Sequence, residues 1–226
     1  MSRSLCLLTL MCLALAAIPT AAFAASQQLY NTGTPNLGAD PTGTPIFPNA
    51  SEIAAGSFQC RFTDCDIEGF TFWSFNGVTG TSDGLSQVDW QFDPVLFNFK
   101  GPNFGTASVD QIGDCSGGPT GSTYCLDSIN LGKSIDVPAG TYWFWLTNGQ
   151  VATGFDPNVF WADAHVLGEP STTFTLSNGV ITSYPDPKAF AVFGEPTGPP
   201  VPEPGSILLL GSGMLGLAGV LRRKLI

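Results

Sequence analysis

Thr141 to Thr147 reads TYWFWLT, a run in which Tyr142, Phe144 and Leu146 alternate with Trp143 and Trp145 before Asn148-Gly149 interrupts it. Side chains of an extended chain alternate between two faces, so Tyr142, Phe144 and Leu146 share one face and the two tryptophans share the other. Asn-Gly tolerates the positive φ of a tight turn and predicts that the strand ends there. The same period of two recurs along the chain. Val88, Trp90 and Phe92 alternate with Asp89 and Gln91; Val95, Phe97 and Phe99 alternate after Pro94; and Phe160, Ala162, Ala164 and Val166 alternate again. Gly69 to Phe75 stops at Asn76-Gly77, Tyr124 to Leu131 is a further apolar run, and Phe174 to Leu176 turns at Asn178-Gly179 into Val180 to Thr182. Ala189 to Phe193 is the last such run. No stretch of this body carries the 3.6-residue stripe of an amphipathic helix. About ten short strands broken by turn residues predict an all-β domain over residues 52–193, an antiparallel β-sandwich of the jelly-roll kind.

The segments outside that body have different compositions. Met1 to Ala24 carries Arg3, an apolar stretch from Leu5 to Ile18 and the small-x-small site Ala22-Phe23-Ala24. That order predicts a secretory signal helix, removed after Ala24. Residues 25–51 are rich in Asn, Thr, Gly and Pro and predict an extended leader that packs late or stays mobile. Residues 194–200, GEPTGPP, hold Pro196, Pro199 and Pro200 and predict a stiff linker.

Residues 201–226 read VPEPGSILLLGSGMLGLAGVLRRKLI. Pro202, Glu203 and Pro204 make a rigid acidic marker ahead of Gly205, because proline fixes φ. An uncharged run from Ser206 to Leu221 follows and ends at Arg222, Arg223 and Lys224. As a transmembrane helix this run rises about 24 Å, short of the roughly 30 Å hydrocarbon core of a bilayer, so it is marginal as a permanent anchor. The basic cluster orients its C-terminal end to the cytoplasm and leaves the body on the outer side. A short motif, an apolar run and a terminal basic cluster, in that order, make a sorting signal whose tail is removed.

These residues resemble the PEP-CTERM sorting domain of Gram-negative bacteria. The resemblance implies recognition and cleavage by a membrane-embedded exosortase. The segments VPAGTYWFWLTN, VFWADAHV and KAFAVFGE are in turn similar to the β-sandwich bodies of many PEP-CTERM proteins. That second resemblance implies a fold and carries no active-site residue across.

Export places the chain in an oxidising compartment, where cysteines pair. Cys6 and Cys12 leave with the signal helix, so Cys60, Cys65, Cys115 and Cys125 remain. Four cysteines allow three connectivities; Cys60 with Cys65 and Cys115 with Cys125 is favoured, since each pair brackets a short polar loop. Neither pair has the C-x₂-C spacing common in four-thiolate zinc sites. Between Ser26 and Pro204 only Arg61, Lys100, Lys133 and Lys188 oppose the eighteen acids of the chain. Such a balance argues against nucleic-acid and anionic-lipid partners, which need a basic footprint, and leaves room for divalent cations as bridges.

Catalytic signals are sparse. His165 is the single histidine, and no G-x-S-x-G elbow, H-E-x-x-H or P-loop is present. Asp64, Asp66 and Glu68, with Asp89 and Asp93, are the carboxylates open to a glycan hydrolase, and Asp64, Asp66 and Glu68 also to a weak calcium site. Trp143 and Trp145, if they face outward, form an apolar patch suited to stacking on sugar rings. The residues therefore point to a non-enzymatic exported β-sandwich at the cell surface or in the extracellular matrix, associated with polysaccharide and needing no cofactor. A carboxylate-dependent hydrolase is the alternative.

Overall fold

The computed structural model describes residues 27–35, 42–48, 50–76, 82–113, 115–118, 121–154, 156–184 and 186–197. The signal helix and the C-terminal transmembrane helix expected from the sequence lie outside the described residues. Among the described residues thirteen strands run in the order β1 (Gln27–Asn31), β2 (Gly33–Thr34), β3 (Gly43–Pro45), β4 (Glu52–Asn76), β5 (Leu85–Asp93), β6 (Phe104–Gln111) and β7 (Ser116–Gly117). They continue as β8 (Thr123–Val151), β9 (Phe160–Ala162), β10 (Val166–Leu167), β11 (Thr173–Ser177), β12 (Val180–Tyr184) and β13 (Phe190–Pro196). The fold is all-β, and every strand pairing among the described residues is antiparallel.

Two long strands organise the layers. β4 pairs with β8 from Ala55 opposite Trp145 to Asn76 opposite Thr123, with the register broken between Cys60 and Asp64. Phe58 and Phe70 both belong to β4, and their ring centroids lie 5.9 Å apart. Twelve residues of straight strand would separate them by about 40 Å. The ladder therefore doubles back on itself, and its two halves become two facing layers. The corner falls where the bulge shifts the pairing, with Pro138 on β8 opposite Asp64, a position that suits a residue with no N–H to donate. β6 closes one side: Gln87 to Gln91 of β5 pair with its first half, and Asp127 to Ile129 of β8 with its second.

The core lies between these layers. Phe72 is among its buried members, as are Phe58, Phe70, Phe92, Phe144 and Trp161, which are joined by edge-to-face and stacked ring contacts. Tyr142, Phe144 and Leu146 face it as the alternation predicts.

Four expectations about the elements are corrected. The leader is part of the domain: β1 pairs with β13, with Tyr30 opposite Val192, and Tyr30 and Ile46 are buried. The linker begins later than Gly194, because β13 runs to Pro196 and pairs Glu195 with Asp66. Gly194 fits against this bulge because a Cβ there would meet the Asp66 carbonyl oxygen at 1.8 Å. Val95 to Phe99 is a looped turn, not a strand; Asp93 Oδ1 accepts the Val95 N–H at 2.8 Å and Phe97 takes a φ of 52°. Asn148-Gly149 is a bulge within β8 and not its end: Asn148 has a φ of 52°, and the Gly149 N–H bonds the Ile46 carbonyl. At Asn178-Gly179 the turn forms as expected, with φ of 50° and 77° between paired Ser177 and Val180.

Candidate functional sites

The four described cysteines are disulfide-bonded as Cys60–Cys65 and Cys115–Cys125, with Cα atoms 6.0 Å and 4.4 Å apart. The first bridge spans the corner of β4. The second joins the segment ahead of β7 to the start of β8.

Trp143 and Trp145 lie on the face opposite Tyr142 and Phe144, yet they do not form the expected exposed pair. Trp145 is 2% exposed. The loop after β5 folds over it, with Phe97 and Phe99 rings each 5.9 Å from its ring. Trp143 is half-buried against Phe174 of β11, 5.4 Å away and edge to face. A period-two pattern assigns faces but cannot say what covers them.

The covering loop creates a different aromatic site. On the outer face, Phe104 of β6, Gln91 of β5 and Trp145 of β8 form one cross-strand row, and Thr106, Asp89 and Thr147 form the next. Phe99 and Phe104 are 52% and 67% exposed, and with Asp89, Gln91 and Thr106 they line a groove of about 300 Å³. The Asp89 carboxylate is held there: Thr106 Oγ1 donates to Oδ1 at 2.5 Å and Asn148 Nδ2 donates to Oδ2 at 2.7 Å. Gln91 Nε2 donates to the Asn98 carbonyl at 2.5 Å and ties the loop to the sheet.

Asp64, Asp66 and Glu68 are half-buried and alternate with the inward Cys65 and Ile67. Asp66 sits directly between Asp136 and Glu195 on the flanking strands. Among the described residues no group of three or more His, Cys, Asp or Glu side chains is placed to hold a metal ion. Glu68 lines a depression of about 370 Å³ together with Asp110 and Ser128. Asp89 and Asp93 are four residues apart on β5, about 13 Å along the strand and beyond the separations of glycosidase pairs. His165 is exposed and bonds Thr42 Oγ1 through Nε2 at 3.0 Å.

Two buried polar sets escaped the sequence reading. Lys188 and Asp163 form an ion pair with neither side chain exposed, and Tyr184 donates to Asp163 Oδ2 at 3.1 Å. Burial pulls the Lys188 ammonium below its ordinary range, against the opposing pull of Asp163. Ser74, Asp83 and Asp127 form the second set, with Ser74 Oγ in contact with both carboxyls. Burial pushes the Asp127 carboxyl up to about 8, helped by the charge of Asp83. One signal was available: Asp127 has the inward parity of Cys125 and Ile129.

Pro202, Glu203, Pro204, Gly205, Arg222, Arg223 and Lys224 lie outside the described residues, and their sequence has a known counterpart. The family model of the PEP-CTERM protein-sorting motif matches residues 200–224. The chain carries a PEP-CTERM sorting motif. This motif implies an exported protein that is membrane-anchored, then processed by exosortase, a membrane protease, and placed at the cell surface. The PEP-CTERM match leaves the chemistry of the β-rich body open. A search of curated proteins finds no match.

Proposed function

We propose that this protein is a non-enzymatic exported component of the cell surface or extracellular matrix that binds exopolysaccharide through its two-layer β body. An N-terminal signal helix starts export, and a short C-terminal transmembrane helix holds the chain until the PEP-CTERM signal is cut. The observation that carries the binding reading is the groove between Phe99 and Phe104. Sugars present apolar C–H faces that pack on aromatic rings and hydroxyls that pair with carboxylates and amides; here the rings stand beside Asp89 and Gln91. Two exposed phenylalanines on an acidic exported chain are also an apolar patch that calls for a partner.

The test is a glycan array probed with the processed protein, with and without calcium. Retention on acidic or neutral polysaccharides, lost in F99A/F104A while its cooperative unfolding transition is kept, supports the reading. Equal retention by F99A/F104A overturns it. The hydrolase alternative has Glu68 and Asp110 at one depression; release of reducing ends from the retained glycan, abolished in E68Q, would favour it.

A further inference from the structure

The inward row of β4 changes character along its length. Phe70 and Phe72 are followed at the same parity by Ser74 and Asn76, and Asp127, opposite Phe72, takes an inward place on β8. One end of the interior is therefore polar. Ser74, Asn76 and Asp127 are fully buried and Asp83 is 1% exposed. Ser74 Oγ touches Asp83 Oδ2 and lies 2.5 Å from Asp127 Oδ2. Asp83 Oδ1 accepts the Leu85 N–H at 3.0 Å, and Asn76 Nδ2 donates to the Asp83 carbonyl at 3.0 Å. Asp127 Oδ1, on the carboxyl that touches Ser74, is sealed from solvent and has no hydrogen-bond partner.

With both carboxyls ionised the proton count does not close. A serine hydroxyl carries one proton, so it can donate to only one of two carboxylates. Two buried carboxylates without a counter-charge cost several kcal/mol each. Among the described residues the ion pairs are Arg61–Glu169 and Lys188–Asp163, and neither involves Asp83 or Asp127. A single shared proton neutralises one charge and leaves Asp127 Oδ1 without a partner. A divalent cation neutralises both charges and uses that oxygen.

We propose that Asp83, Asp127 and the Ser74 hydroxyl form a buried site for a hard divalent cation of the calcium kind. The donors are all oxygen, without the nitrogen or sulfur that transition metals prefer. Calcium accepts a carboxylate through both oxygens and completes its shell with carbonyls and waters, whereas magnesium gives up its waters reluctantly. The ion would tie the segment just ahead of β5 to the end of β4 and the first stretch of pairing in β8, so its role is structural.

The experiment is thermal unfolding and isothermal titration of the processed protein, stripped with EDTA and then given calcium or magnesium chloride at pH 7.5. Extracellular calcium modules bind at about 0.1–1 mM, so about 10 mM calcium should raise the melting temperature and magnesium should raise it far less. D127N should weaken calcium binding at least tenfold, while D110N at an exposed position of β6 should bind as the parent does. Should D127N fail to fold, equilibrium dialysis of the parent protein against about 10 mM calcium decides, with one calcium per chain expected. No shift in calcium and no bound metal in the parent, or an undiminished shift in D127N, overturns the site and assigns the pair to a shared proton.

Discussion

Phe70 and Phe144 stack face to face, with ring centroids 4.0 Å apart and planes 3° from parallel. Along the folded ladder Phe70 sits opposite Ile129 and Phe144 opposite Gly56, so the stack joins the two layers through the interior. Both rings are buried. Phe144→Ala should therefore cost about 3–5 kcal/mol, and Phe70→Ala a similar amount. The two losses should not add, because each removes the other's partner. Urea unfolding of the single and double variants measures this; losses under about 1 kcal/mol would mean that the layers do not meet there.

Trp145 and Trp143 should respond differently to truncation. Trp145→Ala removes a ring sealed by Phe97 and Phe99 and should cost about 3 kcal/mol or more, whereas Trp143→Ala, half-covered by Phe174, should cost less. Denaturant midpoints distinguish them. Equal, small effects would restore the two as an exposed pair.

For Lys188 and Asp163 the pair is expected to matter more when broken than when replaced. Asp163→Asn or Lys188→Met leaves one uncompensated buried charge and should cost about 3–5 kcal/mol. The double variant Lys188→Met with Asp163→Leu should cost less than either single change. Tyr184, its phenol pushed up to about 12 chiefly by burial, stays a donor to Asp163 throughout the physiological range. A double-mutant cycle gives the coupling, and a double loss equal to the sum of the singles would deny it.

In calcium-free buffer the Asp127 carboxyl should make stability fall with rising pH. Its ordinary value is 3.8 and its folded value about 8, so the folded state keeps a proton that the unfolded chain has released. That contribution is fully present below about pH 4 and is lost as pH rises through about 8. Unfolding midpoints at several pH values, compared with D127N, isolate it: the asparagine variant should show a flatter profile. If calcium occupies the site, its stabilisation should grow over the same interval as the proton leaves. A parent profile that rises from pH 5 to 8 in EDTA would contradict the assignment.

Pro202 and Pro204 bear on processing alone. Replacing both with Ala should leave export intact, because the N-terminal signal is untouched, and should keep the protein in the membrane with its tail uncut. Intact mass of the released parent protein should lack Ile207 to Ile226. A full C-terminus on released protein, or normal trimming of the variant, would show that the motif is not read.

The sequence by itself determined the local features. Period-two runs set the all-β class and the faces of Tyr142, Phe144 and Leu146; short loops favoured, among three connectivities, the two cysteine pairs that form; and the motif from Pro202 to Lys224 was complete in one dimension. Each rests on residues close together in the chain, so spacing alone carries the information. Tertiary structure decided what met across distance. Gln27–Asn31 and Gly194–Pro196 join the sheet through backbone hydrogen bonds, which leave little mark on side-chain pattern. Trp145 is buried because a loop anchored by Asp93 and Gln91 folds over it, and Asp83 meets Asp127 because β4 brings Ser74 between them. Covering a face and pairing buried charges are properties of the whole chain's packing, since their energy depends on which groups exclude water together.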